Sequence, residues 1–326
     1  MPRLAGPGGR RRTIHAFALL LWVIGGCSSS ETPSVAVSRR YPLPVTISDQ
    51  GSIRVAWGRI WVSDRGRLTV LDRDGRVASE PREITGAVRL MATGRATLYF
   101  ADAGGGVIAV DPRTAEPRGR RPGAGAEGLA SDPRAREIYL LSPHGGVLGV
   151  TADSLVPSWG WPERGETGTA VAVSPLGDRV YHALGGEDPV LLTRDAQSGR
   201  ILAETEMRGQ VRGLLAGRDG VLYALTVDGS RGALLALRPV PGGLDERWRT
   251  SLGGVEAEAP LRLALAPDED RVAVVSRVPE VAGGVLRLFA TESGMATHAP
   301  EPGVVDAAFG ADGALYLLRG GRVRSR

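Results

Sequence analysis

Four arginines, Arg54, Arg89, Arg212 and Arg262, fall at nearly the same place in segments that otherwise read as apolar strands. A guanidinium presents a rigid fork of donors to a carboxylate or phosphate. Four converging on one point would hold an anionic ligand or an acidic peptide. Glu127, Thr169 and Asp306 take the matching place in three further segments, and the competing arrangement pairs the two acids with neighbouring arginines. A second feature is Pro157-Ser-Trp-Gly-Trp-Pro162. Tryptophan is enriched at interface hot spots, so Trp159 and Trp161 read as a partner-binding loop with Trp161 the more exposed ring. The competing arrangement docks Trp159 between structural units. A third feature is Cys27, the single cysteine of the chain, which allows no internal disulfide.

Other chemistries lack their residues. All 40 basic residues are arginine, and the chain contains neither lysine nor asparagine. Such a bias runs through the whole sequence, so arginine richness by itself says little about anion recognition. Without lysine there is no Schiff-base or lysine general-base mechanism. His144, His182 and His298 stand outside metal-ligand spacing. No Gly-x-Ser-x-Gly nucleophile elbow occurs, and Gly104-Gly-Gly106, with no lysine after it, reads as a hairpin turn. Glu163, Glu166 and Asp188 are near one another in sequence but read as loop carboxylates. The expectation is therefore a non-catalytic chain with no cofactor and no metal.

The elements that position these residues repeat. Ala170-Val-Ala-Val-Ser-Pro-Leu-Gly-Asp-Arg-Val-Tyr181 and Gly213-Leu-Leu-Ala-Gly-Arg-Asp-Gly-Val-Leu-Tyr223 share an apolar strand, an Asp/Gly turn and a second strand with an early aromatic. Weaker copies end at Trp61, Tyr99, Tyr139, Ala273 and Tyr316. Intervals of roughly 40–50 residues, built from strands and tight turns, predict the four-stranded blades of an all-β propeller. Seven blades fit, over 51–84, 86–123, 126–165, 168–208, 209–252, 259–301 and 303–326; six or eight are the alternatives. The last repeat has room for three strands only. Residues 44–48, before blade one, are expected to supply the fourth and close the ring, which removes open sheet edges. The anchor aromatics are expected to pack between blades.

Residues 1–26 read as a secretory signal: Arg10, Arg11 and Arg12, an apolar run from 14 to 24, then small residues. They contain four arginines and no acid, so the remainder holds basic and acidic residues in equal number, 36 of each. A neutral chain lacks the basic field of a nucleic-acid binder, and no nucleic-acid partner is expected. Residues 27–40 read as a tether and 41–326 as the propeller domain.

Two resemblances sharpen this. Ile24-Gly-Gly-Cys27 resembles the lipobox of bacterial lipoproteins. That resemblance implies acylation of Cys27, cleavage before it and export to a membrane surface. The surface would be the periplasmic face of the outer membrane in a two-membrane cell, and otherwise the outer face of the plasma membrane. The repeats themselves resemble three propeller families. Residues 170–181 with Ala196-Gln-Ser-Gly-Arg-Ile201 look like the YVTN type, and Trp61-Val-Ser-Asp64 with Val70-Leu-Asp-Arg-Asp-Gly75 is similar to the NHL type. Arg247-Trp-Arg249 resembles the outer strand of quinoprotein-like repeats. These families share a fold and little chemistry. Together the features point to a lipid-anchored scaffold or binding module whose partner is an envelope protein or a small ligand. The alternative is a lactonase-like hydrolase with its site at the mouth of the central channel.

Overall fold

A sheet with apolar residues on both faces cannot bury them alone, so successive sheets must stack face to face. The computed structural model describes residues 40–42, 48, 51–83, 88–94, 96–102, 106–122, 128–134, 136–161, 167–259 and 261–326. Within the unit Val37–Arg326 they form seven four-stranded antiparallel sheets, and no helix occurs among them. Blades 1 to 6 each use four consecutive strands, A to D, over 52–83, 88–121, 128–161, 167–206, 210–254 and 262–304. The A strands meet one another pairwise around a closed cycle, so they surround the central channel. The fold is a seven-bladed β-propeller, as the repeat predicts. Strand D of blade 6, Glu301–Val304, begins where the sequence suggests that the blade ends.

Each seam between blades has its own core. The anchor aromatics all lie early in strand B, and Trp61, Tyr99, Tyr139, Tyr181, Tyr223 and Tyr316 are buried. Trp61 packs with Leu98 and Phe100 of blade 2, Tyr181 with Leu222 and Leu235 of blade 5, and Tyr223 with Val272 and Phe289 of blade 6. Burial pushes the Tyr223 hydroxyl up to about 12 and raises those of Tyr99 and Tyr181 as well.

Strands alternate in direction, so A–B and C–D turns emerge on one face and B–C turns and D–A links on the other. Backbone bonds tie the first set together: Ala152 N donates to Arg136 O, Ala196 N to Asp178 O and Thr291 N to Asp270 O. We call this the turn face and the opposite one the mouth face. Four C–D turns, over 111–116, 151–156, 195–200 and 290–295, share one geometry. Their fifth residues, Ala115, Leu155, Gly199 and Gly294, are left-handed and donate back to the carbonyl of the first. Asp111 and Asp195 accept amides inside these turns. The Arg113 amide and then the Arg118 guanidinium hold the Asp111 carboxyl at about 2, and the Ser198 hydroxyl and amide lower that of Asp195.

The ring closes by joining both ends of the domain. Blade 7 takes strands A to C from Asp306–Phe309, Leu315–Arg319 and Arg322–Ser325, and strand D from Arg40–Pro42. Arg40 pairs with Arg324, Tyr41 with Val323 and Pro42 with Arg322. The closing strand therefore precedes the expected 44–48 and includes Arg40, which the sequence assigned to the tether. Residues 43–47 lie outside the described residues. Ser48 is engaged elsewhere: its amide and hydroxyl both donate to Asp64, at the mouth-face end of blade 1. The same seam carries a polar tie. Fully buried Asp306 accepts from the Ser52 hydroxyl and the Ile53 amide at Oδ2, both at 2.9 Å, and from the Ala307 amide at Oδ1, at 2.8 Å.

Asp306→Ala should cost about 3 kcal/mol or more in chemical denaturation, because it leaves a hydroxyl and two amides without their buried acceptor. Asp306→Asn, which keeps one oxygen, should cost clearly less. Deleting residues 28–39 should leave the melting temperature nearly unchanged, and deleting 28–42 should lower it by several degrees; equal losses would contradict closure through Arg40–Pro42. The Asp111 carboxyl is depressed in the fold, so its contribution is present above the ordinary carboxyl pKa of about 3.9 and disappears as pH falls toward about 2. Asp111→Asn should accordingly flatten the acid limb of a stability–pH profile.

Candidate functional site

The mouth face gathers the starts of all seven A strands. Arg54 lies on Ser52–Ala56, Arg89 on Val88–Thr93, Arg212 on Gln210–Ala216 and Arg262 at the start of Arg262–Leu265. Arg54 Nη1 donates to Ile53 O at 2.7 Å and stands 3.5 Å from Asp306 Oδ2. Burial depresses the Arg54 pKa; Asp306 opposes this and the charge of Arg262 reinforces it. The fold thus brings Arg54, Arg262 and Asp306 within one electrostatic neighbourhood. Arg212 instead turns to Glu258 in the link before blade 6, with Nη2 3.5 Å from Oε2. Thr169 Oγ1 donates to Ala183 O within its own blade, at 3.4 Å. The Arg89 side chain and Glu127 lie outside the described residues, as does Cys27.

One cationic group at this end of the ring escapes sequence reasoning. Arg287, on strand C of blade 6 (Gly284–Ala290), donates from Nη1 to the buried Ser276 hydroxyl at 2.8 Å, and burial lowers its pKa. The repeat is legible in strands A and B only, so a strand C residue gave no signal.

Trp159 and Trp161 do not form a loop. They lie on strand D of blade 3, Pro157–Trp161, and both are half-buried. Alternation puts residues two apart on one side of a strand, and the two indoles stack there at 4.5 Å. Trp159 rests on Gly149 of the adjoining strand, where a Cβ would sit 2.3 Å from the ring. Tyr139 flanks it at 5.4 Å, and Trp159 Nε1 donates to Glu137 Oε2 at 3.0 Å. Trp161 reaches into blade 4. There the Arg194 guanidinium lies 5.1 Å over its ring, and a Cβ on Gly199 would sit 1.8 Å from its Nε1. Arg194 Nε donates to Nε2 of the buried His182 at 3.1 Å.

Two clefts adjoin these features. One, of about 480 Å³, opens on the turn face between blades 3 and 4, with Arg134, Tyr139, Trp159, Asp178 and Gln197 in its wall. The other, of about 720 Å³, opens on the mouth face between blades 4 and 5 and is lined by Glu187, Asp188, Glu206 and Asp228. Asp188 is thus placed among carboxylates of other elements, whereas Glu163 and Glu166 lie outside the described residues. Among the described residues no three His, Cys, Asp or Glu side chains come together as a metal-ligand group.

Comparison with known proteins identifies the fold. No protein-family profile matches the chain, and no curated protein sequence matches it. Among solved structures it is similar to the β-propeller domain of Myceliophteria thermophila Cps50 (Swd1), with a TM-score of 0.69 and 13% identity over 88% of this chain and 99% of that one. It is equally similar to Kuenenia stuttgartiensis hydrazine synthase, at 0.69 and 13% over 84% and 94%. At such identity the likeness concerns architecture alone.

Gly199→Ala should cost about 2–4 kcal/mol, combining a left-handed backbone with a collision against Trp161. In a Trp161→Ala background the same change should cost clearly less, and the double-mutant cycle reads the difference.

Proposed function

We propose that this chain is an exported, lipid-anchored propeller that serves as a non-catalytic binding or scaffold module in the bacterial cell envelope. The anchor reading rests on Cys27 in Ile24-Gly-Gly-Cys27. The binding reading rests on one observation: Arg54, Arg212 and Arg262 are carried on A strands that meet one another around the closed central channel. Guanidiniums held by a rigid ring are preorganised for a carboxylate or phosphate, and preorganisation lowers the entropic cost of binding. The ligand class is an anionic group, such as an acidic peptide of an envelope protein.

The mouth is the better of the two candidate surfaces. Trp159 and Trp161 are stacked, seated on glycines and crossed by Arg194, so only their outer edges remain for a partner. A closed ring suits a scaffold for the further reason that every blade face is covered by a neighbour and only the outer strands keep an open edge.

Cys27→Ala should move the protein from the membrane fraction to the soluble fraction or leave it unprocessed; unchanged membrane association refutes the anchor. Binding is measured by titration calorimetry with an oligo-glutamate peptide. Charge-assisted hydrogen bonds are worth about 1.5–3 kcal/mol, so Arg262→Gln should weaken affinity by at least about tenfold, with Trp161→Ala changing it little. Loss of binding in Trp161→Ala alone would return the partner site to the blade 3 rim.

A further inference from the structure

The disc has two unlike faces. Every large hydrophobic side chain exposed among the described residues lies at the turn-face end of its blade. Trp57 and Leu176 occupy A–B turns, Val156 and Met295 occupy C–D turns, and Val77 and Leu202 follow C–D turns at the start of strand D. Leu176 is 62% exposed and Met295 70%. These side chains come from blades 1, 3, 4 and 6, so they ring the face and do not line a single pocket. Trp57 adopts a φ of 52°, a left-handed conformation that a bulky residue holds only at a cost, and its ring stands edge-on to Trp61.

The chain joins the ring from the same face. Arg322 follows the B–C turn on the mouth face, and Arg326 exchanges backbone bonds with Leu315 at the turn face. Strand D of blade 7 therefore starts at the turn-face end, with Arg40 opposite Arg324, and runs toward the mouth, with Pro42 opposite Arg322.

We propose that the turn face is this protein's membrane-facing surface, lying against a zwitterionic lipid interface with the arginine-bearing mouth pointing away. The proposal rests on the lipid-anchor reading of Cys27. Residues 28–39 separate that cysteine from Arg40, a link of at most about 45 Å when extended, and it meets the ring on the turn face. Apolar side chains on turn tips, spread around a face, suit a laterally continuous interface, where a protein partner favours one contiguous patch. Tryptophan is favoured at the headgroup level. Carboxylates outnumber guanidiniums among these turns, Asp74, Asp153 and Glu292 among them, so an anionic lipid surface would repel the face.

Dye placement tests the orientation. In the acylated protein Cys27 is blocked, so an introduced Leu176→Cys or Met295→Cys is the single free thiol for an environment-sensitive fluorophore. Asp188→Cys, exposed on the mouth face, is the reference. All three sites are solvent-exposed turns, so the fold is retained. On reconstitution into phosphatidylcholine vesicles, dyes at 176 and 295 should shift to the blue and brighten several-fold, and the dye at 188 should not change. Equal responses at the three positions, a larger one at 188, or none at 176 and 295 would overturn the orientation and leave the turn face to a protein partner. A response at 176 and 295 that rises with protein concentration in the absence of vesicles assigns the face to a second copy and also overturns it. Mass analysis of the Cys27 peptide separates the two claims. Intact acylation with equal dye responses defeats the orientation alone, and absence of the acyl group removes the anchor and the orientation together.

Discussion

The whole ring depends on the seam where its two ends meet. Six seams join blades that are neighbours in sequence, and the stacking there follows from local hairpins. The seventh joins residues separated by nearly the full domain, and without it two sheet faces and one strand edge would be open to water. Three devices hold it. Arg40–Pro42 supplies the outer strand of blade 7. Ile53, Ile60 and Val62 of blade 1 pack on Tyr316, Leu318 and Val323 of blade 7. The Asp306 carboxylate, fully buried, takes a hydroxyl and an amide from across the seam and an amide from its own strand. A buried charge without such donors would be costly, so the geometry of the channel mouth is set by the requirement to satisfy this one acid. Arg54 owes its position beside the channel to the same requirement.

The remaining seams are tuned by exchange of bulk. Where a C–D turn carries glycine at its left-handed position, a tryptophan from strand D of the preceding blade fills the space: Trp161 on Gly199 and Trp248 on Gly294. Where the turn carries Leu155, the preceding blade offers Gly119 near it. The volume at the seam is conserved while the blade that supplies it changes. A close-packed interior feels a single methylene, so each member of such a pair constrains the other. Trp248 adds a hydrogen bond from its Nε1 to Thr291 O at 2.8 Å, which fixes the ring over its glycine.

Much of this architecture was legible in the sequence. The early aromatic of strand B announced the period because each copy meets the same environment, the face of the next blade. Residues 304–309 and 314–318 stood out as strands because their apolar runs lie beside glycines, and 322–324, Arg-Val-Arg, was the short segment left after Gly320-Gly321 to make the third. The candidate site was less legible. Residues 157–161 resemble a loop because Gly and two Pro flank the tryptophans, yet outer strands tolerate such residues, having one unpaired edge. The similar placement of Arg54, Arg212 and Arg262 was readable, but not that Arg54 lies deeper, opposite the anchor Trp61, while Arg262 faces Val275, two residues past its own anchor. Nor were their divergent partners, because Asp306 and Glu258 come from other elements. Arg194 on Trp161 gave no signal, since a buried arginine in strand C looks like any edge-facing cation. The closing strand was misplaced by a few residues because a short outer strand needs little apolar character, and Tyr41 between Arg40 and Pro42 offers almost none.

Closure through both ends also fixes an order of assembly. Blades 1 to 6 are strings of adjacent hairpins, and each can pair its strands once its own residues are present and stack once its neighbour in sequence follows. Blade 7 cannot: its outer strand is among the first parts of the domain to emerge and its inner three are the last. Contacts such as Arg40 with Arg324 carry a sequence separation close to the largest the chain permits, and loop-closure entropy makes them late. Until they form, an incomplete ring exposes strand edges able to pair with another copy. The segment around Arg40 waits through the synthesis of the entire domain for its partner, so chaperoning demand should be concentrated on the two unfinished blade faces and scarcely on the blades between them.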